Sequence, residues 1–169
     1  LDDDCDGTPD NSPAFADSLE PNGSCAAATT LALVGTADTA TYTTLSIYPS
    51  GDFDYFRIDA VEDDSTCGGG IASTDEDYDL SITLTVPAGA GSYRMCVPTT
   101  AGANQCPNVG QNCFTIAAGT SYTHTYQLDG TCLTNDSYST YLRVSGTSGS
   151  AFSCTPYWLS YTFDAGLCR

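Results

Sequence analysis

The chain has 169 residues, 41% of them apolar, with eleven tyrosines and six phenylalanines, enough for one ordinary domain with a buried core. Twenty-one acids stand against four bases, all arginine (Arg57, Arg94, Arg143 and Arg169), for a formal net charge of −17. That balance repels nucleic acid and anionic membrane surfaces, and points to cations, neutral polymers or other proteins as partners.

In chain order, residues 1–15 read as an acidic loop or linker, since five of the first eleven residues, LDDDCDGTPDN, are aspartate. Helical periodicity is nearly absent, and AFADSLE (14–20) supplies one or two turns at most. Strand alternation recurs throughout, with short strands predicted at 31–35 and 41–48. In FDYFRIDAV (53–61), Phe56, Ile58 and Ala60 alternate with Tyr55, Arg57 and Asp59. The stretch EDDSTCGGGIASTDED (62–77) reads as an acidic loop, with Glu62, Asp63, Asp64, Asp75, Glu76, Asp77 and Asp79 lining it in solvent.

In YDLSITLTVP (78–87), Leu80, Ile82, Leu84 and Val86 share one face. The turn AGAG (88–91) leads into SYRMCV (92–97), where Tyr93, Met95 and Val97 are in phase, so the two strands are predicted to form a hairpin. PTTAGANQCPNVGQN (98–112) has loop composition and opens a Cys-bearing insertion at about 98–135, which also holds predicted strands at 113–117 and 121–128. TYLRVSG (140–146) and PYWLSYTF (156–163) close the series, the latter with Tyr157, Leu159, Tyr161 and Phe163 on one face. About eight short strands with polar turns predict an all-β fold over residues 16–169: an antiparallel, jelly-roll-like β-sandwich.

Nine cysteines (Cys5, Cys25, Cys67, Cys96, Cys106, Cys113, Cys132, Cys154 and Cys168) are scattered with no CxxC pair, and His124 is the only imidazole. A zinc cluster is therefore not expected. The pattern predicts disulfides stapling the sandwich in an oxidising compartment, with an odd thiol left free or bridged to a neighbour and the connectivity open. The chain starts at Leu1 and carries no long apolar run, so it reads as a mature or excised piece of an exported, extracellular or cell-surface protein, without membrane insertion.

The opening acids have a metal-loop spacing. Asp2, Asp4, Asp6, Gly7 and Asp10 fit D-x-D-x-D-G-x-x-D, in which alternate side chains point inward, the glycine allows a sharp turn, and the Thr8 carbonyl turns in as a further oxygen ligand for Ca²⁺. An EF-hand would place a bidentate Glu at loop position twelve, where this chain has Pro13. The phrase DGTPDNSP (6–13) instead resembles thrombospondin type 3 repeats, and the whole motif resembles metal-binding repeats of bacterial surface proteins. The same acids would also serve a solvated linker.

A second resemblance covers roughly residues 16–165. DSLEPNGSCAAATTLAL (17–33), IYPSGDFDYFRIDAV (47–61) and the late strands TYLRVSG and YWLSYTF resemble, in that order, the bacterial pre-peptidase C-terminal domain. The resemblance implies a non-catalytic β-sandwich appended to an exported protein. It also implies a second calcium site, built from Glu20, Asn22, Asp52 and Asp54. Gly23 stands where related collagen-binding modules often carry another acid. Read from the residues alone, Asp52 and Asp54 serve equally as turn residues capping backbone N–H groups.

No GxSxG phrase occurs, and His124 alternates with Tyr122 and Tyr126 as a strand residue does, so no enzyme is expected. Trp158 is out of phase with its apolar neighbours and is expected to cover one end of the sandwich, a sugar-stacking platform being the other reading. NGS (22–24) and NDS (135–137) have the form of glycosylation sequons. Two functions compete. One is a calcium-stabilised accessory or binding module of a larger exported bacterial protein, acting on a polysaccharide, a matrix protein or its own parent. The other is a repeating subunit of a surface filament or stalk, joined to other copies through calcium-organised junctions.

Overall fold

The computed structural model describes residues 17–32, 38–48, 51–61, 76–102, 105–107, 112–130, 137–147 and 155–165. The acidic opening motif, with Asp2, Asp4, Asp6, Thr8 and Asp10, and the cysteines Cys5, Cys67, Cys132, Cys154 and Cys168 lie outside them. Nine strands form, β1 (Thr29–Thr30), β2 (Thr39–Leu45), β3 (Phe53–Ala60), β4 (Glu76–Thr85), β5 (Tyr93–Cys96), β6 (Cys113–Ile116), β7 (Ser121–Gly130), β8 (Tyr138–Gly146) and β9 (Tyr157–Ala165), with a single 3-10 turn at Cys25–Ala27. One sheet runs β1-β3-β8-β5-β6 and the other β2-β9-β4-β7. Every pairing is antiparallel except that of β1 with β3. The chain is thus an all-β sandwich, stapled in its described part by Cys25–Cys106 and Cys96–Cys113.

Alternation explains the layering. Phe56, Ile58, Tyr93, Met95, Leu142 and Val144 from the five-stranded sheet bury against Leu80, Ile82, Leu84, Leu159, Tyr161 and Phe163 from the other. Tyr157, in the same phase, is fully buried and packs edge-on to Tyr93, with ring centroids 5.9 Å apart. The opposite face of the four-stranded sheet carries hydroxyl rungs between directly opposed residues. Ser81–Thr125, Thr83–Thr123 and Thr85–Ser121 are hydrogen-bonded across β4 and β7, and Thr39–Thr162 across β2 and β9. Among the described residues no helix is long and apolar enough to cross a membrane.

Four expectations are corrected. β4 and β5 do not pair: β4 lies between β7 and β9, whereas β5 lies between β6 and β8, so AGAG crosses from one sheet to the other. Both strands bury their apolar faces this way, from opposite sides of one core, and the polar turn suits an arch as well as a hairpin. Glu76, Asp77 and Asp79 belong to β4, because its backbone pairing with β7 extends out to Glu76. Residues 31–32 follow the short β1 without continuing it as a strand, and Leu31 turns into the core. Trp158 is 54% exposed, since the phase that buries Tyr157 and Leu159 sends it to the outer face beside Thr85. Residues 17–20 form a turn, closed by a bond from the Glu20 N–H to the Asp17 carbonyl, and 14–16 lie outside the described residues. Residues 113–130, within the segment read as an insertion, supply β6 and β7, one edge strand of each sheet.

The contrast between the two faces is testable. Ile82→Ala is expected to cost about 2–5 kcal/mol, and Thr83→Ala, on the exposed rung, less than about 1 kcal/mol; urea unfolding followed by Trp158 fluorescence measures both.

Candidate metal centre

The site lies where β3 begins. Strand period places Asp52 and Asp54 on one side of the chain and Phe53 on the other. Gly51, at φ 90°, makes the turn that leads into the strand, a conformation that disfavours any residue with a Cβ. The segment carrying Glu20 and Asn22 is fixed beside them by its backbone. The Tyr55 N–H donates to the Asn22 carbonyl at 3.1 Å, and the Asp17 carboxylate accepts from the N–H groups of Leu19 and Ser46, both at 2.9 Å. Gly23 backs onto Asp52: a Cβ there would lie 3.5 Å from Asp52 Oδ1, an ordinary contact.

Glu20, Asp52 and Asp54 each present a carboxylate oxygen, and the three atoms lie within 4.8 Å of one another. One oxygen of Glu20 accepts from the Asn22 N–H at 2.8 Å, and one of Asp54 accepts from the Tyr157 hydroxyl at 2.5 Å. The other oxygens are left over. Glu20 Oε1, Asp52 Oδ2, Asp54 Oδ1 and both side-chain atoms of Asn22 are buried without a hydrogen-bond partner. Asn22 and Asp54 are themselves fully buried. The buried Asn22 is thus a polar residue of the interior, and the sequon reading of NGS finds no exposed acceptor there.

Unpartnered carboxylate oxygens in a protein interior are costly, and the titration of these groups reflects it. Burial pushes the Asp54 carboxyl well above its ordinary range, against the Tyr157 hydrogen bond and helped by repulsion from Asp52, Asp17 and Glu20. Glu20 and Asp52 are raised as well, again chiefly by burial, with neighbouring acids adding to it. The Tyr157 phenol is raised by burial and by the Asp54 charge, so it remains a donor.

The residues fit a hard cation. Two oxygens bound to one Ca²⁺ at ordinary distances are at most about 5 Å apart, and such an ion accepts carboxylate and amide oxygens in flexible geometry. No histidine or cysteine belongs to the cluster, which disfavours zinc. The structure therefore brings together Glu20, Asp52 and Asp54, named from sequence, with Asn22 buried in the same segment. Sequence reasoning passed over Tyr157, although its phase in β9 and that of Asp54 in β3 both place them on the inward side.

The remaining candidates have other settings. His124 packs against Phe114 and Tyr126, with centroids 5.3 and 4.6 Å away, and burial lowers its pKa. Of the cysteines, Cys25 pairs with Cys106 and Cys96 with Cys113.

No family model matches the chain, and no curated protein does. Among solved structures, it is similar to the pre-peptidase C-terminal domain of a collagenase from Bacillus anthracis, at 12% identity and a TM-score of 0.38, over 82% of this chain and 93% of that one. It is also similar to the Tobacco streak virus coat protein, at 14% identity and a TM-score of 0.31, over 82% of this chain and 94% of that one. A third likeness is to a disulfide-linked pilus protein of Bacillus endospore appendages, at 15% identity and a TM-score of 0.30, over 82% of this chain and 99% of that one. At these scores the likenesses carry no functional argument.

The raised carboxyls set the sign of a pH effect. Without a cation, each group stabilises the fold below its unfolded value, 3.8 for Asp and 4.5 for Glu, and that contribution is lost as pH rises through the folded value. In chelator, the melting temperature is expected to be higher near about pH 5 than near about pH 7.5. Asp54→Asn should flatten this slope, as thermal melts across pH will show.

Proposed function

We propose that the chain is a non-catalytic, calcium-stabilised extracellular module of a larger exported protein, with Glu20, Asn22, Asp52 and Asp54 as calcium ligands. The observation that carries this reading is the set of buried carboxylate oxygens with no protein partner, brought together from Glu20, Asp52 and Asp54. A bound Ca²⁺ neutralises the repulsion and gives each orphaned oxygen a partner, with Asn22 Oδ1 a neutral fourth ligand and water completing the shell. Tyr157 fixes the Asp54 carboxylate so that its other oxygen is free for the ion. The sequence phrases EPN and GDFDYF, which resemble the pre-peptidase C-terminal pattern, support the same assignment. Two disulfides in the described part suit export to an oxidising compartment.

Among the partners expected from the sequence, polysaccharide is favoured by one feature. Trp158 stands exposed beside Thr85 on the sheet face where Ser and Thr hydroxyls form rungs across β4 and β7, an aromatic platform next to hydrogen-bonding groups. Trp158→Ala is expected to abolish retention on insoluble polysaccharide without lowering the melting temperature, measured by pull-down and calorimetry.

Calcium itself is tested by titration calorimetry and thermal melts. Saturation to a hundred times Kd is expected to stabilise by about 2.7 kcal/mol. Asp54→Asn and Glu20→Gln should each weaken binding at least about tenfold while making the metal-free protein more stable than the parent. A purely structural role for Asp54 predicts the opposite sign, a less stable metal-free variant. Gly23→Asp, which the space beside Asp52 accommodates, is expected to tighten calcium binding. Light scattering of native protein in calcium and in chelator separates a monomeric module from the filament subunit, which would form large particles that shorten or dissociate in chelator.

A further inference from the structure

β8 is buried on both faces at its centre. Leu142 and Val144 face the core, whereas Arg143, only 4% exposed, lies on the outer side of the five-stranded sheet. Its guanidinium has an unusual setting. The Phe53 ring centroid is 5.3 Å from Arg143 Cζ, Nη2 donates to Cys96 Sγ at 3.3 Å, and Nε is buried without a partner. Among the described residues no carboxylate pairs with it. A buried cation without a counter-ion among its described neighbours is costly, and the Cys96 sulfur that it contacts is able to become one.

That sulfur belongs to a cross-strand disulfide. Cys96 and Cys113 are directly opposed in the β5–β6 pairing, at the outer edge of the sheet. Their exposure differs: Cys96 is fully buried, and Cys113 is half-buried. Thiol–disulfide exchange requires the nucleophile to approach one sulfur along the S–S axis while the other departs, and it is faster when the departing thiolate is stabilised. Access therefore selects Cys113 for attack, and Arg143 selects Cys96 as the leaving group. The two selections agree. Cys25–Cys106 lacks this arrangement, with both sulfurs on half-buried residues and no guanidinium against either among the described residues.

We propose that Cys96–Cys113 is a thiol-exchange site, in which an incoming thiolate attacks Cys113 and Cys96 leaves as a thiolate held by Arg143. The lone pair of the external thiolate forms a bond to Cys113 Sγ, the Cys96–Cys113 bond breaks, and its electron pair remains on Cys96 Sγ. The product is a mixed disulfide at Cys113 beside a buried thiolate–guanidinium pair. A second external thiolate completes reduction by attacking the outer sulfur of the mixed disulfide. Cys113 is then released as thiolate and the two external thiols leave as their own disulfide, having supplied two electrons. The substrate class is a thiol, either a small molecule or the cysteine of another chain. The site is independent of the calcium assignment, and its opening removes only the covalent link between β5 and the four-residue edge strand β6, which stay paired through their backbones.

The test uses the native, oxidised full chain exposed to reduced glutathione, quenched in acid, alkylated and mapped by peptide mass spectrometry. The expected result is glutathione on Cys113 with a free Cys96, forming about tenfold faster than any opening of Cys25–Cys106. Arg143→Met, which replaces the buried charge with an apolar side chain, is expected to slow this exchange about tenfold, and Arg143→Lys to retain it within about threefold. Circular dichroism establishes that each variant is folded, and if Arg143→Met does not fold, the position and order of adducts in the unsubstituted protein decide alone. Glutathione on Cys96, opening of Cys25–Cys106 first or at an equal rate, or an unchanged rate in a folded Arg143→Met would each overturn the proposal.

Discussion

A carboxylate enclosed between two sheets must be protonated, hydrogen-bonded or matched by a cation, and the register of β3 holds Asp54 to that choice. The phase that carries Phe56 and Ile58 into the core carries Asp54 with them. No rotation of the side chain moves it to solvent without moving the strand. The Tyr157 hydroxyl answers one of its oxygens, and the other is left for whatever occupies the space between it, Asp52 and Glu20. The loop from Asp17 to Asn22 is then placed by two hydrogen bonds, onto β3 through the Tyr55 N–H to the Asn22 carbonyl and onto the segment after β2 through the Ser46 N–H to the Asp17 carboxylate.

The two disulfides in the described part serve different neighbourhoods. Cys96–Cys113 joins adjacent strands that already share backbone hydrogen bonds, so its contribution to the fold is local. Cys25–Cys106 spans 81 residues of sequence and joins segments that no strand pairing connects. In a loop-closure view the longer link restricts the unfolded chain more. A chain with a short edge strand at each end of its larger sheet, β1 and β6, relies on such links where the hydrogen-bond ladder is brief.

Much of the sandwich was legible in the sequence because alternation is a local property. The inward residues of β4, β8 and β9 follow directly from period two. At Trp158 the preference of a large aromatic ring for burial, which predicts a cover for one end, gives way to the phase that sets it apart from its apolar neighbours. What the pattern lacks is the partner of each strand. YDLSITLTVP and SYRMCV bury the same faces whether they pair with each other or oppose each other, so the arch at 88–91 could not be told from a hairpin. The candidate site divides in the same way. The i, i+2 spacing of Asp52 and Asp54 shows that they share a side, and the phase of Asp54 shows that this side is the inner one. That Glu20 and Asn22 meet them is a tertiary fact, carried by the Tyr55–Asn22 bond across more than thirty residues, and only the family-like phrases EPN and GDFDYF hinted at it.

The staple at Cys25 also bears on how the acidic loop behaves in time. Asp17 ties the start of this segment to Ser46, Asn22 is anchored to β3, and just beyond it Cys25 is tied to Cys106, so the stretch carrying Glu20 and Asn22 is held on both sides. Like charges held this way cannot drift apart, and their oxygens stay arrayed toward one another. For a cation that binds there, capture does not wait for a loop to order. Its rate is then governed by how quickly the ion sheds its own hydration water.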